Sequence, residues 1–483
     1  MSINRILERI KTFNFKKDIW LIPILLVGGI LTFYPHFDYP FLFHVDEWFH
    51  IAQAKQIALG SSVNWYTGEA FIPGLEQGWH GLLAGIYLLF HPSSKQWIIL
   101  PIILHFLAIF STYLFVSRFF DKTKGLISSF LIAILPTNNT IGGPVFLIPV
   151  NLSLIIIPIT LLFAFNLVKI KPLYNYLIIL ILTTFLLYAH APSAIVLLLI
   201  LLFKTLFLIC SKDRSERTEG FHLIIVLFIS VLLSLPNFFN EILSRGFASI
   251  TFNFYIKLSE IFLLYGILPT IFFIIGFYFA SKEKNKEIWA LLLTSLFLLF
   301  NIVVFAQMGI NILLPYQRTF LPLFLLMAII GSIGFAQLFE IKEPIKKAGA
   351  IIFVILILTT GLFAIQSNLN YTYYQIIDDV DNENAEWIQE NTKMNAVMLC
   401  DPWKARALAP IAERTVYSVT PFGPIEKELA RVDNATAFLN NGCRNTSFLI
   451  KHNISIVYVR GYNCYNPYLK ELTKDIYLLH LKK

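Results

Sequence analysis

Runs of Leu, Ile, Phe and Val recur along this 483-residue chain, many of them near the length of a membrane span. An α-helix needs about 20 consecutive apolar residues to cross the hydrocarbon core of a bilayer. In lipid the backbone has no water to bond, so each such run must be a helix that satisfies its own amides. Good candidates are residues 19–35, 97–117, 146–168, 173–189, 192–210, 221–236, 261–280, 287–306, 316–338 and 348–366. The run 125–136 is shorter and ends in Pro136 and a polar turn. Together they predict a polytopic α-helical membrane protein with about 11 transmembrane helices. A transmembrane barrel would instead show alternating segments of about ten residues. Composition agrees, because 57% of residues are hydrophobic and only 14% are charged, where a soluble domain carries about 25%.

The net charge of +8 does not call for nucleic acid as a partner. The basic residues gather in short loops: the N-terminus (Arg5, Arg9, Lys11, Lys16, Lys17), then 118–124, 169–171, 211–217, 281–287 and 341–347. Placing all of these in the cytoplasm obeys the positive-inside rule. The N-terminus is then cytoplasmic in a multi-pass protein of the cell membrane. Residues 36–96, 137–145, 237–260, 307–315 and the tail from about 370 are external. One segment decides this parity. Residues 79–90 are apolar, but roughly twelve residues are too few for a comfortable crossing, so they read as a helix on or dipping into the outer leaflet. Residues 19–34 read as an uncleaved first helix, since no small-residue cleavage pattern follows.

Apolar density drops near Ser367. The expected domains are therefore 1–369, transmembrane and including the external loop 36–96, and 370–483, a small external α/β domain. In the latter, 381–391, 434–440 and 467–472 read as helices, and 396–400 and 455–460 as buried strands. A Cys443–Cys464 disulfide fits an external tail, and free thiols fit the residue counts equally.

Membrane sequence rarely tolerates charge without a reason, which singles out His44-Val45-Asp46-Glu47-Trp48-Phe49-His50. From Asp46 onward the spacing is helical. Trp48, Ile51, Ala52, Lys55 and Leu59 form an apolar stripe with a snorkelling lysine, and Asp46, His50 and Gln53 share another face. Adjacent residues on a helix point apart, so Asp46 and Glu47 do not act as one couple on one atom. One carboxylate does proton work and the other orients, caps or pairs. Asp46 is favoured because it shares its face with His50, and an Asp46 that is only a helix N-cap is the alternative.

This Asp-Glu-aromatic-x-His block, placed after the first span, resembles the GT-C glycosyltransferase superfamily. That superfamily includes protein O-mannosyltransferases, aminoarabinose transferases and the catalytic subunit of oligosaccharyltransferase. Pro73-Gly74-Leu75-Glu76-Gln77-Gly78-Trp79-His80 is similar to the second half of the same loop. The local likeness covers about residues 40–90. It implies transfer of a sugar from a polyprenyl-phosphate-linked donor to a protein, lipid or glycan acceptor, with Asp46 as general base and Glu47 as the second catalytic carboxylate. His50, Glu76 and His80 become candidate substrate-binding residues.

Two departures matter. Residues 137–145 hold no carboxylate and the tail holds no Trp-Trp-Asp, both expected of the oligosaccharyltransferase type. A hard divalent cation wants several oxygen ligands, so the residues favour a metal-independent transferase: no cofactor is predicted, no metal ligand is assigned, and a divalent metal is an alternative that these residues do not support. The aminoarabinose type carries a lysine soon after the loop's acidic residue, where this chain has Glu69, Glu76 and His80. Candidate phosphate partners lie at outer membrane ends. Arg318 can grip phosphate bidentately or anchor the interface beside Tyr316, and His190 sits at an outer turn as a donor contact or a structural cap. Lys204 is expected to snorkel to the inner surface. The Asn-x-Ser/Thr sites at Asn138, Asn151, Asn434, Asn445 and Asn453 are compatible with an external position and specify nothing more. Two other classes compete: a transporter or flippase for lipid-linked glycans, and a non-catalytic assembly subunit. A transporter would place its charges at the bilayer midplane and repeat its halves, whereas here the acidic residues gather in one external loop.

Overall fold

The computed structural model describes residues 18–138, 141–168, 171–245, 258–261, 263–338, 355, 358–359, 361–362, 375–421 and 426–480. In chain order the helices are α1 (Leu21–Phe33), α2 (Val45–Ala58), α3 (Gln77–Phe90), α4 (Ile99–Phe119), α5 (Lys122–Ala133), α6 (Ser153–Ala164), α7 (Pro172–Ala189), α8 (Ala191–Ile209) and α9 (Arg214–Arg245). After one turn at Leu258–Ile261 come α10 (Ile267–Ala280), α11 (Lys286–Met308), α12 (Phe320–Leu338), α13 (Asp379–Asn391), α14 (Ala405–Ala412), α15 (Glu426–Asn440) and α16 (Thr446–Lys451). They divide into two compact units, Met1–Asp38 with Ile99–Leu369, and Tyr39–Ile98 with Asn370–Lys483.

The first unit holds most of the apolar helices. Among the described residues, six helices are long and apolar enough to cross a membrane: Gln96–Phe119, Pro172–Ala189, Ala191–Ile209, Arg214–Asn237, Lys286–Met308 and Tyr316–Gln337. Leu21–Phe37, Pro149–Ala164 and Ile267–Ala280 are apolar but shorter. The run 125–136 corresponds to α5, a helix of 12 residues. The expected span 348–366 lies almost wholly outside the described residues, as does the basic segment 341–347. Small residues set the closest helix approach. A Cβ at Gly276 or Gly334 would overlap the backbone of Ile330 or Phe272, so only glycine lets α10 and α12 meet there. Lys204 does not snorkel. It is buried, and its ammonium donates to Glu219 Oε1 at 2.9 Å and to the Ala164 carbonyl. A buried charge needs such partners to offset its lost hydration.

The second unit combines α2 and α3 with the C-terminal segment. Its sheet has five strands, β1 (Val397–Leu399), β2 (Thr415–Val416), β3 (Ile454–Tyr458), β4 (Leu469–Thr473) and β5 (Ile476–Leu479), in the order β2-β1-β3-β5-β4. β1 runs parallel to β2 and β3, while β5 is antiparallel to β3 and β4. Leu399, Phe438, Leu439, Leu449 and Val457 close a core on it. The C-terminal segment is thus α/β as expected, with one correction. Residues 467–472 are not a helix, because Leu469–Thr473 pairs with Ile476–Leu479 across a turn in which Asp475 takes φ +69°. Hydrogen bonding to a neighbouring strand outweighs the local helical pattern. Cys443 and Cys464 are joined as a disulfide, their Cα atoms 5.1 Å apart.

Tyr39–Ile98, most of the first loop, belongs to this second unit. Tyr66 Oη donates to the Arg406 carbonyl at 2.8 Å, and Ser94 Oγ donates to Asn382 Oδ1 at 2.5 Å. Lys95 pairs with Asp379 at 2.6 Å.

Candidate active site

The acidic block forms the first turn of α2. His44 is the N-cap, in extended backbone conformation at φ −96°, ψ 142°. Its Nδ1 accepts the Asp46 amide at 3.1 Å, and Glu47 Oε2 accepts the His44 amide at 2.6 Å. This is a reciprocal capping box, which satisfies donors that a helix start otherwise leaves open. Glu47 is fully buried in that role. Its place in the structure is therefore the capping alternative foreseen for one of the two carboxylates. Asp46 is not the N-cap. It is the second helical residue, half-buried, with Oδ2 3.5 Å from His44 Nδ1. That nitrogen already accepts the Asp46 amide, so it has no proton to give the carboxylate.

One turn further, α2 meets α3. His50 Nδ1 lies 3.0 Å from His80 Nε2 and 3.6 Å from Glu76 Oε2. Glu76 is the N-cap of α3, but its side chain makes no capping bond. His80 follows four residues later, so both side chains lie on one face. The His80 amide donates to the Glu76 carbonyl at 2.9 Å. Phe49 stands edge-on to His80, and Trp79 edge-on to His50. Burial pushes the His80 pKa down to about 3, which keeps the ring neutral near pH 7. The three residues that sequence placed separately along the loop as substrate-binding candidates are thus one cluster.

A further group escaped the sequence reading. Lys55 is buried rather than snorkelling. Its ammonium donates to Glu413 Oε1 at 3.0 Å and to the Pro410 carbonyl at 2.9 Å. Tyr87 Oη donates to the same Glu413 oxygen at 2.9 Å. Burial pushes the Lys55 pKa down and Glu413 opposes that shift. This trio lines a cavity of about 310 Å³ together with Trp48, Glu386 and Glu390. The signal available in sequence was a lysine inside an otherwise apolar stripe; nothing local marked Glu413.

In the membrane unit, His190 caps α8. Its Nδ1 lies 2.7 Å from Ser193 Oγ and accepts the Ser193 amide at 3.3 Å. Tyr316 is buried, stacked on Phe305 with ring centroids 3.8 Å apart, so it packs inside the unit rather than in a surface aromatic belt. Arg318 lies in the 3-10 turn Tyr316–Thr319 and is partly buried as a residue.

One unit of apolar helices and one α/β unit whose helix α2 carries the acidic block define a class of polytopic membrane protein. No protein-family model matches the sequence, and no curated protein matches it either. Solved structures do match. The apo oligosaccharyltransferase of Archaeoglobus fulgidus is similar with a TM-score of 0.62 at 12% identity, over 92% of this chain and 70% of that one. ArnT from Cupriavidus metallidurans, bound to undecaprenyl phosphate, is similar with a TM-score of 0.56 at 13% identity, over 92% and 96%. The mycobacterial arabinofuranosyltransferase AftD is similar with a TM-score of 0.62 at 14% identity, over 96% of this chain and 40% of that one. At these identities the likeness is one of fold: the chain shares the fold of these three solved structures.

Proposed function

We propose that this protein is an integral-membrane glycosyltransferase that moves a sugar from a polyprenyl-phosphate-linked donor to an acceptor hydroxyl or amide on the external face. The fold supports glycosyl transfer, and a neighbour with that fold binds undecaprenyl phosphate. The observation that carries the reading is the division of labour on α2. His44 and Glu47 complete the cap between them, which leaves the half-exposed Asp46 carboxylate without a capping duty. In this reading Asp46 takes the acceptor's proton as it attacks the anomeric carbon, and the lipid phosphate leaves with the bonding electrons. Glu47 fixes the helix start and acts on Asp46 only through position. For the donor phosphate the membrane unit offers Arg318, whose planar fork suits phosphate oxygens. His190 orders the start of α8. The cytoplasmic N-terminus and external C-terminal unit are part of the proposal. The Cys443–Cys464 disulfide supports the latter, since disulfides persist in oxidising compartments.

The test is Asp46→Asn in membranes supplied with a panel of labelled polyprenyl-phosphate sugars. Transfer is expected to fall about 10²- to 10⁴-fold, the usual weight of a general base, with membrane abundance unchanged. Full transfer by the variant would remove Asp46 from the chemistry.

A further inference from the structure

We propose that His50, Glu76 and His80 bind one divalent transition-metal cation of the zinc type, with an oxygen ligand, water or an anion, closing the coordination shell. Three donor atoms converge: all lie within 4.8 Å of one another, with His50 Nδ1 at 3.0 Å from His80 Nε2 and 3.6 Å from Glu76 Oε2. Two ligands on a tetrahedral zinc, with bonds of about 2.0–2.2 Å, stand roughly 3.3–3.6 Å apart. The two shorter edges of the cluster bracket that span closely.

Hydrogen bonding alone accounts for this convergence less well. His50 Nδ1 carries one proton or one lone pair, so it serves one of its two facing neighbours at a time. A cation serves all three at once. The donor set selects the ion. Two imidazoles and a carboxylate suit zinc-like metals, whereas calcium and magnesium prefer oxygen alone. Three protein ligands with a fourth position open is the pattern of a reactive zinc site rather than a closed structural one. The open side is Glu76, whose side chain is 27% exposed while that of His50 is 6% exposed. α2 supplies one ligand and the first turn of α3 supplies two, so the ion would tie the two helices together. Nothing in this proposal requires glycosyl transfer, and its test does not read it.

The full-length chain, purified in detergent and stripped with a chelator, is loaded with Zn²⁺ and its metal content measured by mass spectrometry. One ion per chain is expected. His50→Gln, Glu76→Gln and His80→Gln should each weaken binding by at least about tenfold to a hundredfold. Melting of each stripped variant beside the stripped parent shows whether it is folded. A variant that fails to fold is decided by the unaltered chain loaded with Co²⁺, whose visible bands should have the intensity of a four- or five-coordinate site and be displaced by Zn²⁺. No bound metal, binding that all three folded variants retain in full, or weak six-coordinate cobalt bands would each overturn the site.

Discussion

At the scale of single residues, the most informative side chain is Lys55. Hydropathy alone made it a surface lysine on an amphipathic helix, yet it is paired with Glu413, 358 residues away in sequence. Removing one partner of a buried ion pair leaves an uncompensated charge, which typically costs about 3–5 kcal/mol. Glu413→Ala should therefore lower the melting temperature of the purified chain sharply. Lys55→Met combined with Glu413→Gln should restore most of the loss, because the pair's own net contribution is small. A double variant as unstable as the single one would show that Glu413 acts through something other than this charge. Asp46 differs in kind. It was recognisable from sequence as charge in an apolar setting, and its half-exposed position on α2 agrees with a residue that meets solvent or substrate.

At the scale of elements, α2 separates two neighbouring carboxylates that sequence could not rank with certainty. The capping box was hidden because its N-cap is His44, outside the usual Ser, Thr, Asp and Asn. Glu47→Ala removes the acceptor of the His44 amide and should destabilise the helix start by roughly 0.5–2 kcal/mol. Faster amide hydrogen exchange in the first turn of α2 would report it, and Asp46→Asn should leave that exchange unchanged. Equal acceleration in both variants would contradict the division of roles. Among the C-terminal elements, the strand at Leu469–Thr473 runs against the helical reading of 467–472 because its state is set by hydrogen bonds to Ile476–Leu479 across a tight turn, not by its own residue pattern. The disulfide close by closes a loop of sequence separation 21. Replacing both cysteines by alanine should cost about 3 kcal/mol on the chain-entropy estimate, read as a lower melting temperature for the C-terminal unit. Asn151 shows the same limit from the other side. Its sequon is compatible with an external position, but its amide is buried and donates to the Gly143 and Phe146 carbonyls.

At the scale of the whole molecule, the division into units carries a topological consequence. Tyr39–Ile98 and Asn370–Lys483 belong to one compact body, which predicts that the first loop and the C-terminal segment lie on the same side of the membrane. With Cys210 replaced by Ser, cysteines introduced as Pro92→Cys and Lys451→Cys should both react with an impermeant thiol reagent from outside intact cells. Reaction of both only after permeabilisation would invert the orientation, and opposite behaviour of the two would break the unit. Hydropathy runs, basic loops and the acidic block were readable directly from the chain. Each is a local property: a helix in lipid satisfies its own backbone, and twenty apolar residues in a row need no partner to declare what they are. The joining of His50 to Glu76 and His80, of Lys55 to Glu413, and of the loop to the C-terminal segment was not readable. These contacts depend on which surfaces meet once the chain closes on itself, and burial, which turns a surface lysine into half of an ion pair, has no signature within any short stretch of residues.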